Sequence, residues 1–269
     1  MSGLRLLALL WALTSAPLAA ALDHQHSAFS TLLQAHVQWS ADGSASTVDY
    51  AGLRRDRAAL ERYLTELSAV TAADFDRWSE AERLAFLINA YNAYTLALIA
   101  DADPEPESIR DLGSWLRSPW KRRFFTLLGE KRSLDDVEHG LIRGAEGFSE
   151  PRIHFAVNCA SIGCPALRDE AYVAERLDTQ LEDQTRRFLG DRSRNRYDAR
   201  ERVLYLSKIF DWYGDDFALL FRGGSSRAEF LVGYAEALGL DQTAIADLQA
   251  GRLKIDFLDY DWRLNGRRP

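Results

Sequence analysis

The run Arg83-Leu84-Ala85-Phe86-Leu87-Ile88-Asn89-Ala90-Tyr91-Asn92-Ala93-Tyr94-Thr95-Leu96-Ala97-Leu98-Ile99-Ala100-Asp101 decides the fold. Between its charged ends it carries no charge, and Ser79-Glu80-Ala81-Glu82 just before it has the spacing of a capping box. A helix apolar on every side is either a membrane span or the buried centre of a domain. Asn89, Asn92 and Thr95 argue for the buried centre, and the run barely reaches spanning length. The two asparagines then need partners, because an unsatisfied buried amide costs about 1–3 kcal/mol. They are expected to brace a neighbouring loop.

Working outward toward the N-terminus, Phe29, Leu32, Leu33 and Val37 recur at helical spacing. Leu53, Leu60, Tyr63, Leu64 and Leu67 repeat the pattern. Toward the C-terminus the character changes. A hairpin is expected over 123–133 and a short helix over 133–143, then a strand at 153–157 and an amphipathic helix at 172–189. Strands follow at 195–197 and 202–206, helices at 226–238 and 242–248, and a last strand at 254–258. Strands and helices do not alternate regularly, and no repeat or long linker interrupts the chain. The expected class is α+β: a helix-rich N-terminal part with a buried central helix, followed by a small, mainly antiparallel sheet with interspersed helices.

The start of the chain speaks to compartment. Arg5, an apolar run over 6–13, Pro17 and Ala19-Ala20-Ala21 form the pattern of a cleaved signal peptide spanning 1–21. The remaining 22–269 are expected to form one α+β domain, periplasmic or secreted, with no transmembrane helix after signal removal. The formal net charge of −7 argues against nucleic acid as a partner, since phosphate binding draws on clustered Lys and Arg. The basic stretches that exist are mostly punctuated by acids, as on a solvated face.

Cys159-Ala160-Ser161-Ile162-Gly163-Cys164, closed by Pro165, holds both cysteines of the 269 residues. Two states are open. An exported pair favours a disulfide, with Gly163 able to supply an unusual backbone angle. A free Cys159 instead needs an activating environment and a base. His24 and His26 lie beside the cleavage point, in a tail expected to be mobile. His154 lies five residues before Cys159 on an expected strand, where alternation puts them on opposite faces. His139 is the best base, with Asp135 one turn earlier to orient it and Glu138 pointing away. Cys159, His139 and Asp135 are thus the candidate catalytic residues, with backbone N–H groups near Ala160 and Ser161 as oxyanion donors.

A second constellation is acidic and aromatic: Asp211-Trp212-Tyr213-Gly214-Asp215-Asp216-Phe217, and Asp259-Tyr260-Asp261-Trp262. Carboxylates beside aromatic platforms suit glycan chemistry. Tryptophans and tyrosines beside helix ends are more often core anchors, and the tail is expected to be architectural. No metal-ligand spacing appears, and no cofactor is implied.

Four ordered motifs resemble one family: 85–93 (Ala-Phe-Leu-Ile-Asn-Ala-Tyr-Asn-Ala), 138–143 (Glu-His-Gly-Leu-Ile-Arg), 154–165 around Asn158 and the cysteines, and 260–265 (Tyr-Asp-Trp-Arg-Leu-Asn). The likeness is to the domain of unknown function 547 family, over about 79–217 with a matching tail at 256–265. That resemblance implies kinship and leaves activity open. With the residue reading, it marks Asn89, Asn92, Glu138, Arg143, His154, Asn158, Ser161 and Cys164 as candidates to line the site. Two functions follow: a thiol-dependent hydrolase or acyl transferase, or a non-catalytic glycan- or protein-binding module with a Cys159–Cys164 disulfide. The expected partner is a small-molecule, peptide or glycan ligand.

Overall fold

The computed structural model describes residues 22–114, 118–144 and 147–267. The leader expected over 1–21 lies outside the described residues. The central helix runs Glu80–Ala100, opened by the reciprocal bonds between Ser79 and Glu82. Every residue from Leu84 to Ala100 is buried. Around it pack helices Ser27–His36, Tyr50–Arg55 and Arg57–Ala69, which place Phe29, Leu53, Leu60 and Tyr63 in a first hydrophobic core. No helix among the described residues is long and apolar enough to cross a membrane.

The class is α+β. Strands β1 (Val37–Trp39) and β2 (Ser46–Val48) form one antiparallel pair, and β3 (Phe125–Leu127) and β4 (Glu130–Arg132) another. The β3–β4 turn uses Leu128 (φ 54°) and Gly129 (φ 80°), the positive-φ pair that a tight hairpin requires. In the third sheet β5 (Arg196–Asp198) runs antiparallel and β7 (Lys254–Phe257) parallel to the middle strand β6 (Val203–Leu206). A second core gathers behind this sheet from Phe155, Phe188, Phe210, Phe217, Phe230 and their neighbours.

Several boundaries differ from the sequence reading. Val37 ends the helical spacing and begins β1, so the first third holds a hairpin as well as helices. The helix expected from 172 begins at Leu177, after a single 3₁₀ turn at Ala174–Arg176. The one expected over 226–238 is broken at Tyr234 into Arg227–Gly233 and Ala235–Leu238. The expected strand at 153–157 is a 3₁₀ helix, Pro151–Phe155. Pro151 sets its first turn, and the Glu150 carboxylate accepts the Arg152 N–H at 3.0 Å. Periodicity cannot separate the two forms here, because Pro151 to Val157 is buried on every side. His26 is no mobile tail residue either: it is 2% exposed, with its ring 2.7 Å from the Tyr63 hydroxyl.

Candidate functional site

A cleft of about 280 Å³ opens where the two cores meet. The central helix contributes Tyr91, the 118–120 turn Trp120 and the 3₁₀ segment His154, and the rest comes from a π-helix, the cysteine loop, the Ile209–Tyr213 segment and the C-terminal tail.

The π-helix, Asp136–Ile142, starts from a reciprocal cap in which Ser133 N–H donates to Asp136 and Asp136 N–H to Ser133 Oγ. Its wide turn, closed by Arg143 N–H on the Glu138 carbonyl at 2.9 Å, brings Asp135, Glu138 and His139 to the same cleft. Glu138 therefore does not point away as α-helical geometry predicts. It is 7% exposed and accepts the Tyr213 hydroxyl at 2.8 Å. Burial, and then the Glu138 charge, push the Tyr91 and Tyr213 phenols well up, so both stay protonated donors. Asp135 lies 3.8 Å from His139 Nε2, beyond hydrogen-bond length. The group that orients His139 is Arg143, whose Nη1 donates to Nδ1 at 2.5 Å.

Arg143 is held in turn by Asp216, through Nε at 2.5 Å and Nη2 at 3.1 Å, and lies over the Tyr213 ring. His154 donates to the same carboxylate at 2.7 Å and stacks on Tyr213 with ring centroids 4.1 Å apart. Burial lowers the His154 pKa and its bond to Asp216 offsets this only in part, which keeps the ring neutral. Burial alone would raise the Asp216 carboxyl, but His154 and Arg143 outweigh it and hold it well below the usual carboxylate range. Because 151–155 is helical, the alternation argument fails, and His154 lines the same cleft as Cys159.

The cysteine loop carries a Cys159–Cys164 disulfide, one of the two states left open by the sequence. Both cysteines line the cleft, Cys159 partly exposed and Cys164 4% exposed. Asn158 shapes the loop, its side chain donating to Pro165 O at 2.7 Å and accepting Ala160 N–H at 2.9 Å. That bond commits one of the two backbone donors expected to form an oxyanion hole. The unusual backbone angle falls at Ala160, with φ 61°, and not at Gly163. Gly163 serves close approach instead, since a Cβ there would meet the Tyr260 ring at 2.9 Å.

The tail runs antiparallel beside the loop, with Ile162 N–H on Arg263 O, Gly163 N–H on Asp261 O and Asn265 N–H on Ala160 O. This lays Tyr260 across the disulfide, its hydroxyl 3.2 Å from Cys159 Sγ and 3.1 Å from Cys164 Sγ. Ser161 Oγ adds a contact to Cys159 Sγ at 3.0 Å. Trp262 is no core anchor. It is half-buried on the cleft wall, in ring contact with Trp120 at 5.8 Å, Trp212 at 5.6 Å and Tyr260 at 4.5 Å. Trp212 is 45% exposed beside it.

Of the residues expected at the site, Asp135, Glu138, His139, His154, Cys159 and Cys164 line one cleft. Arg143 and Ser161 stand behind it, holding His139 and the disulfide. Asn89 and Asn92 lie beneath, as braces: Asn89 pairs with both backbone groups of Tyr172, and Asn92 with Ala156 O and Asn158 N–H. Asn158 is likewise internal to the loop. Trp120 and Tyr91 were not foreseen as lining residues; Asp216 and Tyr213 were visible only as members of an acidic-aromatic run.

Residues 75–189 match a family model described as "Protein of unknown function, DUF547". The match covers less than half of the chain and is to the family that the motifs resemble, ending short of the 217 they suggested. No curated protein and no solved structure matches the chain.

Proposed function

We propose that the cleft is the binding site of an exported, non-catalytic module, and that its ligand is a glycan. The carrying observation is that Trp120, Trp212, Tyr260 and Trp262, linked by ring contacts, line the same cleft of about 280 Å³ as Asp135, Glu138 and His139. Flat aromatic faces suit the apolar face of a sugar ring, and two carboxylates with an imidazole suit its hydroxyls. A mostly apolar pocket with a few convergent polar groups is the ordinary form of a small-ligand site. The disulfide lines the cleft, and the leader expected over 1–21 supports export to the periplasm or outside the cell.

The test is titration calorimetry of the protein against a panel of oligosaccharides, repeated with Trp212→Ala and Trp262→Ala. Each ring removed should weaken binding about three- to tenfold, the range of an aromatic contact. Binding by no glycan of the panel, or unchanged affinity in both variants, overturns the reading.

A second reading has its own observation in favour: Cys159, His139 and Asp135 share the cleft. With the disulfide reduced, Cys159 would be the nucleophile of a thiol-dependent hydrolase or acyl transferase. It then alkylates faster than an unactivated thiol at neutral pH, and His139→Ala slows it.

A further inference from the structure

We infer that the Cys159–Cys164 disulfide is an exchange centre for low-molecular-weight thiols entering the cleft, with Cys159 the sulfur attacked and Cys164 the sulfur released. The inference is independent of the glycan reading.

Three observations carry it. First, access is unequal: both cysteines line the cleft, but Cys159 is partly exposed and Cys164 is 4% exposed. An incoming thiolate therefore meets Cys159. Second, the Cys159 N–H donates to Cys164 Sγ at 2.9 Å and the Tyr260 hydroxyl reaches it at 3.1 Å, whereas the contacts to Cys159 Sγ are from two hydroxyls, Ser161 Oγ at 3.0 Å and the same Tyr260 hydroxyl at 3.2 Å, so the fixed backbone donor serves Cys164. Hydrogen bonds to an ionised acceptor are about twice as strong as neutral ones, so both contacts strengthen as Cys164 becomes a thiolate. A better-stabilised thiolate is a faster leaving group. Third, a ring this small stabilises less by loop closure than a long one would. A phenol brought from 96 residues away onto the sulfurs is more than a staple needs.

The step balances as follows. A thiol R–SH loses its proton to solvent, and R–S⁻ attacks Cys159 Sγ. The S–S bond breaks with its electron pair going to Cys164 Sγ, leaving R–S–S–Cys159. A second thiolate attacks the incoming sulfur of that mixed disulfide and releases R–S–S–R and the Cys159 thiolate. Both cysteine thiolates take protons from solvent. Two thiols are oxidised and the protein disulfide is reduced.

The experiment uses the chain purified without reductant, treated with reduced glutathione, quenched with N-ethylmaleimide and read by peptide mass spectrometry. Glutathione should appear on Cys159 and N-ethylmaleimide on Cys164, with opening about tenfold faster in the folded protein than in denaturing urea. Tyr260→Phe, which keeps the ring, should slow opening about three- to tenfold. A variant pair serves where Tyr260→Phe does not fold: Cys164→Ser should take glutathione from its disulfide at Cys159, and Cys159→Ser should do so at least about tenfold more slowly at Cys164. Adducts on Cys164 first, opening no faster in the folded protein than in urea, or a Tyr260→Phe rate equal to wild type each overturn the inference.

Discussion

The Asn92 side-chain oxygen accepts the Asn158 N–H at 2.8 Å while its amide nitrogen donates to Ala156 O at 3.0 Å. One residue of the central helix thus holds both sides of the turn that leads into Cys159. Neither backbone group can turn to water instead, because Ala156 and Asn158 are both 3% exposed. Replacing Asn92 by Leu should cost about 1–3 kcal/mol by leaving them unpaired. Urea denaturation gives the loss. A variant as stable as wild type would mean that the loop does not depend on this brace.

The central helix itself should behave as core. Leu87 is fully buried, and Leu87→Ala should lose about 2–5 kcal/mol, the usual cost of emptying such a site. Partition of the wild-type protein into detergent would contradict the buried-centre reading.

The long elements were legible because they are local. The apolar run with its capping box, the hairpin within 123–133 and the pairing of β5 with β6 all follow from neighbours in sequence, although the hairpin's turn falls at Leu128-Gly129, one residue before the expected Gly129-Glu130. The site was half legible for the same reason. Asp135, Glu138 and His139 sit within one turn, but the π-helical widening that turns all three into the cleft has no sequence period. His154 was placed on the wrong side because a run buried all round looks alike as strand or helix. Its partner Asp216 lies 62 residues away, and Tyr260 reaches Cys159 across 101. Such contacts are set by packing, and composition does not announce them.

The pH dependence of stability should show two separate limbs. Burial lowers the His26 pKa from 6.5 to about 4, so between those values the unfolded chain binds a proton that the folded chain does not. Stability therefore falls as pH drops from about 6.5 toward 4, by at most about 3 kcal/mol from this group. His154, also lowered by burial, adds to the same limb. His26→Asn should flatten it, since Asn tolerates the φ of 48° at this position and does not titrate in this range. Equal slopes for the variant and wild type in a series of denaturation curves would remove His26 from the account.

The second limb lies lower. Asp216 is held below the usual carboxylate range, so its contribution is present above the unfolded pKa and is lost as pH falls from about 4 downward. Asp216→Asn keeps an acceptor for His154 but leaves Arg143 without its bidentate partner. It should cost about 1–3 kcal/mol at neutral pH and shrink the acid limb. It should also weaken ligand binding, because Arg143 is what orients His139. Full stability at neutral pH in this variant would show that the pair contributes nothing.

Gly163 offers the most local test of how the site is put together. A methyl group there would sit 2.9 Å from the Tyr260 ring and 3.0 Å from the Asp261 nitrogen, closer than real side chains pack. Backbone φ is not at issue, so the whole effect of Gly163→Ala comes from pushing the tail off the loop. The bond from Gly163 N–H to Asp261 O should lengthen, and the Tyr260 hydroxyl should leave the two sulfurs. Overpacking of this kind costs about 1–3 kcal/mol. Tyr260→Phe removes the hydroxyl but not the packing, so the pair separates the two contributions. Slower disulfide opening in both variants, with a lowered melting temperature in Gly163→Ala alone, is the expected pattern. A Gly163→Ala protein that melts and exchanges like wild type would mean that the tail accommodates the methyl group and that its seat on the cysteine loop is not what places Tyr260.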